Sequence, residues 1–273
     1  MKLIRASMVF GSLVALVVPS SSADADDVVR YCGGREASIV GTAGDDDLAG
    51  SEDVDVVWMG AGDDFYENPG GGDFICGGSG NDFFSVPWWG QTIEGGPGWD
   101  QIYHEPYEVP GLQIDLVAGE VTTRSGGGPP TRFAGVEEFA GSEHNDLFLG
   151  DDTDTYFAGL GGVDHAYLRG GDDMAQIGSG WVYGGAGDDS IHVGWGPSDR
   201  AIVGRVWAVP GDDYITGSRW ADILHGNAGD DIIEGRAGDD TLVGNHGNDT
   251  LRGGRGIDRC LGEIKGHCEN RSP

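Results

Sequence analysis

The sequence predicts an all-β fold, a right-handed parallel β-roll with two nonapeptide units per coil and an inserted β-hairpin-like segment. Three observations predict it. A nine-residue unit, Gly-Gly-x-Gly-x-Asp-x-apolar-x, runs unbroken from Gly41 to Tyr103 and again from Ala208 to Leu261. Only its eighth position is regularly apolar: Leu48, Val57, Tyr66, Ile75, Phe84, Ile93 and Ile102 in the first run. That is too sparse for a helix and suits short strands that each point one side chain inward. The best-formed units recur every 18 residues, at Gly44/Asp46, Gly62/Asp64, Gly80/Asp82 and Gly98/Asp100, so two units make one coil. Neighbouring coils should then stack at about 4.8 Å.

The first element, residues 1–25, reads as a signal peptide. Lys2 and Arg5 precede a mostly apolar stretch from Phe10 to Val18, and small residues lead to cleavage after Ala23 or after Ala25. The stretch is too short to span a bilayer, and no later segment is apolar enough to cross one. Residues 26–103 form the first β-roll block. Alternate units in it are flawed: Asp53 stands at a glycine position, one unit opens Asn68-Pro69, and Gln91 replaces Asp. The better turns should therefore line one edge.

Residues 104–140 break the period and form the insert. Leu112, Ile114 and Leu116 alternate with Gln113 and Asp115 as in a strand, Val117 to Glu120 turns the chain, and Val121 to Thr123 returns it. Arg124 to Arg132, with three Gly and two Pro, is a loop. Phe65, Phe74 and Phe83 occupy the outward seventh position, Phe65 and Phe83 on one sheet face and Phe74 on the other. The insert, with Leu112, Ile114, Leu116, Phe133 and Phe139, is expected to shield one of those faces. Residues 141–273 form the second β-roll block with a C-terminal cap. Asp146, Asp164 and Asp173 hold the sixth position there, Thr155 replaces it once, and a good unit with Asp189 lies out of phase. After an irregular stretch from Val193 to Trp207, six units carry Asp213, Asp222, Asp231, Asp240, Asp249 and Asp258, so both edges are competent apart from Trp220 at one glycine position.

Composition narrows the chemistry. Acidic residues outnumber basic ones 46 to 16, a formal charge of −30 that excludes nucleic acid and anionic membrane as partners. Without counter-ions such a chain should repel itself and stay expanded. An acidic excess is ordinarily a solvated surface. Here the carboxylates recur at one phase of the repeat, which points to divalent-cation sites. The four cysteines, Cys32, Cys76, Cys260 and Cys268, are an even count behind an export signal and suggest two disulfides. Of three pairings, Cys260 with Cys268 is favoured as local, leaving Cys32 with Cys76. They would contribute about 2.6 and about 4 kcal/mol respectively by loop entropy. No Cys-x-x-Cys spacing supports a metal site.

Gly77-Gly78-Ser79-Gly80-Asn81-Asp82-Phe83-Phe84-Ser85 is one copy of a unit that resembles the hemolysin-type (RTX) calcium-binding repeat. The resemblance covers roughly two-thirds of the chain. Calcium takes six to eight oxygen ligands at about 2.3–2.6 Å, more than one unit supplies. In the resembling family an ion is shared between a turn and the turn one coil further along. The sixth-position Asp gives carboxylate oxygen, and the Gly-rich turn gives backbone carbonyls. The resemblance assigns metal-ligand positions to Asp46, Asp64, Asp73, Asp82, Asp100, Asp164, Asp173 and Asp189, and to Asp213, Asp222, Asp231, Asp240, Asp249 and Asp258. It assigns turn carbonyls to Gly60, Gly62, Gly78, Gly80, Gly96, Gly98, Gly229, Gly238, Gly247 and Gly256. Glycine fits because the carbonyls converge only when some residues take positive φ. Hard oxygen ligands without Cys or His disfavour zinc and copper. Asp53, His144 and Trp220 at the fourth position, and Gln91 and Thr155 at the sixth, put individual sites in question. RTX toxins usually leave by an uncleaved C-terminal route, so toxin function does not carry over to a chain with an N-terminal signal.

No catalytic constellation emerges. His104-Glu105 lacks the second His of a zinc-protease motif, and Gly178-Ser179-Gly180 is a turn rather than a nucleophile elbow. The expectation is a secreted, extracellular, monomeric calcium-binding β-roll whose folding is coupled to several Ca²⁺ ions, and not an enzyme. The alternative is a calcium-stabilised adhesin or carbohydrate-binding surface protein, with a polysaccharide or cell-surface protein as partner; a secreted hydrolase ranks third. Trp58, Trp88, Trp89, Trp99, Trp195 and Trp220, at turns or outward positions, motivate that alternative.

Overall fold

A short strand that buries one side chain is stable only when another strand stacks beside it, and here stacking is what the 18-residue period delivers. The computed structural model describes residues 29–87, 89–104, 110–194, 204–262 and 268; residues 1–25, expected to be a signal peptide, and Trp88 and Trp195 lie outside them. Among the described residues there is no helix, and the strands form two long sheets, of 14 and 11 strands, besides one two-stranded hairpin. The sheets alternate along the chain. Val57 pairs with Ile75 and Ile75 with Ile93 in one sheet, while Tyr66 pairs with Phe84 and Phe84 with Ile102 in the other. Every one of these pairings is parallel and one coil apart. The fold is a parallel β-roll with two units per coil.

The eighth-position side chains of the two sheets meet in a narrow core. Tyr66, Ile75, Phe84, Ile102, Phe148, Leu224 and Ile233 are all fully buried. A second core position was not apparent from the consensus. Met59, Val86, Leu168, Ile177, Val193 and Ala208 occupy the first position of their units, where the consensus has glycine, and are buried too.

The insert contains the expected hairpin, Leu112–Asp115 against Glu120–Thr123, and a third antiparallel strand, Thr131–Ala134. It does not shield an outer face, which corrects the sequence expectation. Its strands stand within the 14-stranded sheet, with Thr131–Ala134 pairing to Thr92–Glu94 and Leu112–Asp115 pairing to Leu147–Leu149. Leu112, Ile114, Val121 and Phe133 therefore point into the core, where Phe133 begins a chain of rings through Phe139, Phe148 and Phe157. The opposite sheet bridges the insert directly, Ile102 pairing with Phe139.

Outside, Phe65 and Phe83 do stack, at 5.4 Å between centroids, and Tyr103 continues the row. What covers Phe74 is the N-terminal hairpin, Tyr31–Cys32 against Arg35–Glu36. The Arg35 guanidinium lies 3.9 Å from the Phe74 ring centroid. Cys32 is joined to Cys76, and Cys260 to Cys268, the pairing the spacing favours.

Candidate metal centre

The turns between strands stack into two ladders, one on each edge of the roll, and the sixth-position aspartates link them. In the first block, Oδ1 of Asp64, Asp82 and Asp100 accepts the backbone N–H of Asp46, Asp64 and Asp82, one coil earlier, at 2.8–3.0 Å. On the same edge the pattern resumes through Asp189, Asp213, Asp231 and Asp249. The other edge repeats it at Asp73, Asp164, Asp240 and Asp258. The out-of-phase unit with Asp189 still joins its ladder, because the preceding coil is two residues shorter: Ala175 pairs with Ile191.

One oxygen of each carboxylate is thus satisfied; the other decides what the turn can do. Oδ2 of Asp64, Asp82, Asp100, Asp164, Asp173, Asp189, Asp213, Asp231, Asp240 and Asp249 is buried and meets no hydrogen-bond donor. Burial first, with neighbouring carboxylates adding to it, pushes Asp100 up to about 7, Asp213 to about 8 and Asp164 to about 9. A buried ionised oxygen without a partner costs several kcal/mol. The donor set, anionic and neutral oxygen in a stacked turn, fits a hard divalent cation. Among the described residues no three His, Cys, Asp or Glu side chains converge. The buried carboxylates come one per turn, beside exposed fifth-position partners such as Asp63 and Asp188 that bond to neighbouring coils, so backbone carbonyls are needed to complete any coordination.

Glycine at the fourth position has a reason beyond the ion. Gly80 has φ +127°, and a Cβ there would lie 1.8 Å from the carbonyl oxygen of Gly62, one coil away. The turns stack too closely for a side chain.

The flawed units are substituted, not empty. The Gln91 amide oxygen accepts the Asp73 N–H at 2.7 Å. Thr155 donates its hydroxyl to Asp173 Oδ1 at 2.8 Å. Glu137, from the insert, accepts the Asp100 N–H at 2.9 Å and carries the ladder past the break. It stands nine residues before Asp146, at the sixth position in the frame of the second block, and the signal is the buried Phe139 two residues on; the missing Gly-Gly-x-Gly hid it. Asp73, expected among the ligands, stands apart. The buried Tyr66 hydroxyl, reaching across from the opposite sheet, donates to its Oδ2 at 2.9 Å. Asp46 and Asp222 also differ: Thr42 and Ser218 donate to their second oxygens.

The family model of the RTX calcium-binding nonapeptide repeat (four copies) matches residues 33–66, 70–84, 177–197, 207–242 and 225–260. The chain is an RTX-type repeat protein. Calcium is the cation its turns are built for. No curated protein matches the chain.

Among the described residues of this RTX protein, outward aromatic rings stack on one another along the roll. Tyr167, Tyr183, Trp207 and His225 stack face to face along one sheet, 4.9–6.0 Å apart, so their faces are spent on one another. Trp99 lies on one edge of the roll, in the turn before Gln101–His104, and donates to Glu138. Trp220 lies on the other, before Ile223–Ala228.

Proposed function

We propose that the protein is a secreted calcium-binding β-roll whose folding is coupled to binding several Ca²⁺ ions, and that it acts as a structural, ion-dependent module and not a catalyst. One observation carries this reading: the ten buried Asp Oδ2 atoms without a donor, spaced along both edges. In the ion-free chain each is a buried carboxylate that must either take up a proton or open its turn. Bound calcium supplies positive charge and accepts oxygen ligands in an irregular shell. The ten aspartates would hold it together with carbonyls of the Gly-rich turns, such as those of Gly62, Gly80, Gly229 and Gly247. Because a site exists only when two turns are stacked, binding free energy is folding free energy. Secretion rests on the N-terminal stretch, the two disulfides and the usual fate of RTX repeat proteins. The test is a calcium titration of chelated protein followed by circular dichroism. β signal should grow cooperatively with calcium, near the 10⁻⁴–10⁻³ M typical in order of magnitude of extracellular modules. A spectrum unchanged between excess chelator and excess calcium refutes the coupling.

A further inference from the structure

Fourteen of the sixth-position aspartates fall into two groups that the repeat consensus does not separate; Asp73, closed by Tyr66, and Asp258 belong to neither. Ten leave Oδ2 without a donor. In four others a Ser or Thr at the second position of the same unit closes on the carboxylate. Thr42 donates its N–H and hydroxyl to Asp46 Oδ2 at 2.6 and 3.0 Å. Ser51 does the same to Asp55 at 2.7 and 2.8 Å, and Ser218 to Asp222 at 2.6 and 2.9 Å. Ser142 donates its N–H to Asp146 Oδ2 at 2.7 Å and its hydroxyl to Oδ1 at 2.8 Å. None of the ten has Ser or Thr at the second position, and all but the Val209 unit take positive φ there, as at Asn227 (80°) and Arg236 (72°).

Position in the stack separates the same two groups. One coil upstream of every one of the ten lies the sixth residue of another unit: Asp46 above Asp64, Asp146 above Asp164, Thr155 above Asp173, Asp222 above Asp240. The four have none. Asp46 and Asp55 open the roll. Above Asp146 is Leu112 of the insert, and above Asp222 is Gly204, which follows the irregular stretch. Each of the four is the head turn of a ladder. At the Asp146 head turn a fixed cation is also present: Arg124 of the insert places Nη1 3.4 Å from the carbonyl oxygens of Asn145 and Asp146.

The physical logic joins the two observations. A shared ion needs two stacked turns, and a head turn has a partner on one side only. Leaving its carboxylate without donors would bury charge with nothing to compensate it. A hydroxyl and an amide aimed at that oxygen remove the penalty without metal. We propose that Thr42, Ser51, Ser142 and Ser218 keep the four head carboxylates free of metal, so that the rows of calcium ions under Asp46, Asp146 and Asp222 begin one coil below, at Asp64, Asp164 and Asp240, while below Asp55 the next carboxylate, Asp73, is closed by Tyr66. The three heads with a row beneath them would then hold their shape before calcium arrives and template the first ion-binding turn below. The inference rests on the calcium reading above and adds where the ions are not.

The test counts calcium bound per full-length chain by native mass spectrometry at saturating calcium. Asp240→Asn should lose at least one ion. Asp222→Asn should keep the wild-type count, as should Ser218→Thr, which retains the hydroxyl. Ser218→Ala should keep the count or gain an ion. Loss of an ion in Asp222→Asn or in Ser218→Ala overturns the proposal. If Asp222→Asn does not accumulate as folded protein, Ser218→Ala carries the same decision, since it leaves the carboxylate in place. A wild-type chain that binds no calcium, or an Asp240→Asn variant with an unchanged count, sinks the calcium reading itself and is a different result from failure at Ser218.

Discussion

Alanine at the fourth position of the repeat should have opposite effects at two glycines. Gly229 has φ +142°, and an added Cβ would sit 1.8 Å from the carbonyl oxygen of Gly211, one coil away. Gly44 is in a head turn; it has no left-handed φ, and a Cβ there meets nothing within 4 Å. At Gly229 the backbone strain alone costs about 1–3 kcal/mol. Forcing the stacked turns apart adds an overpacking cost of about 1–3 kcal/mol. At Gly44 neither applies, and the lower entropy of the unfolded chain stabilises by about 0.4–1 kcal/mol. For a chain of this size each kcal/mol moves Tm by roughly 2–4 °C. Gly229→Ala should therefore lower Tm by at least about 4 °C, and Gly44→Ala should leave it level or raise it slightly. The assay is thermal unfolding by circular dichroism at saturating calcium. Equal Tm values, or a larger drop for Gly44→Ala, would refute the argument that close stacking of turns, and not the consensus itself, demands glycine.

Three further outcomes are expected. Asp231→Ala should raise the calcium midpoint of folding more than Asp55→Ala, because Asp231 is fully buried with a donor-free Oδ2 and accepts the Asp213 N–H, whereas Asp55 is partly exposed and closed by Ser51; equal midpoints would count against it. In excess chelator the β signal should strengthen as pH falls from 8 towards 5, a trend that a flat or opposite profile would contradict. Burial raises Asp82, Asp100, Asp173, Asp213 and Asp240 to about 6–8, above the unfolded value, so the fold binds more protons across that window and loses stability as pH rises. Replacing Cys32 and Cys76 by Ser should cost about 4 kcal/mol by loop entropy, and hydrogen exchange should locate the loss in the N-terminal hairpin over Phe74; protection unchanged there would show that the bridge does not hold it.

Periodicity made most of this fold legible because every coil repeats the same contacts: one inward side chain, one parallel pairing, one stacked turn. Where the period stops, the sequence still marks which residues are buried but not what they are buried against. Alternation at Leu112, Ile114 and Leu116 identified a strand, and Leu112 and Ile114 are buried. The strand nevertheless joins the sheet rather than covering it, because Thr92–Glu94 and Leu147–Leu149 each have a backbone edge to satisfy. The same limit governs the site. Asp73 holds the sixth position with Gly71 at the fourth, as Asp82 does with Gly80, yet a tyrosine seven residues earlier, entering the core from the opposite sheet, supplies the donor that Asp82 lacks. Asp222 holds the sixth position too, in a unit with Trp220 at the fourth, and the residue that closes its carboxylate is Ser218, at a position the consensus assigns to glycine. The repeat pattern therefore finds turns shaped for a cation, while residues that depart from it, Tyr66 in one case and the second-position hydroxyls in four others, decide which carboxylates remain for one.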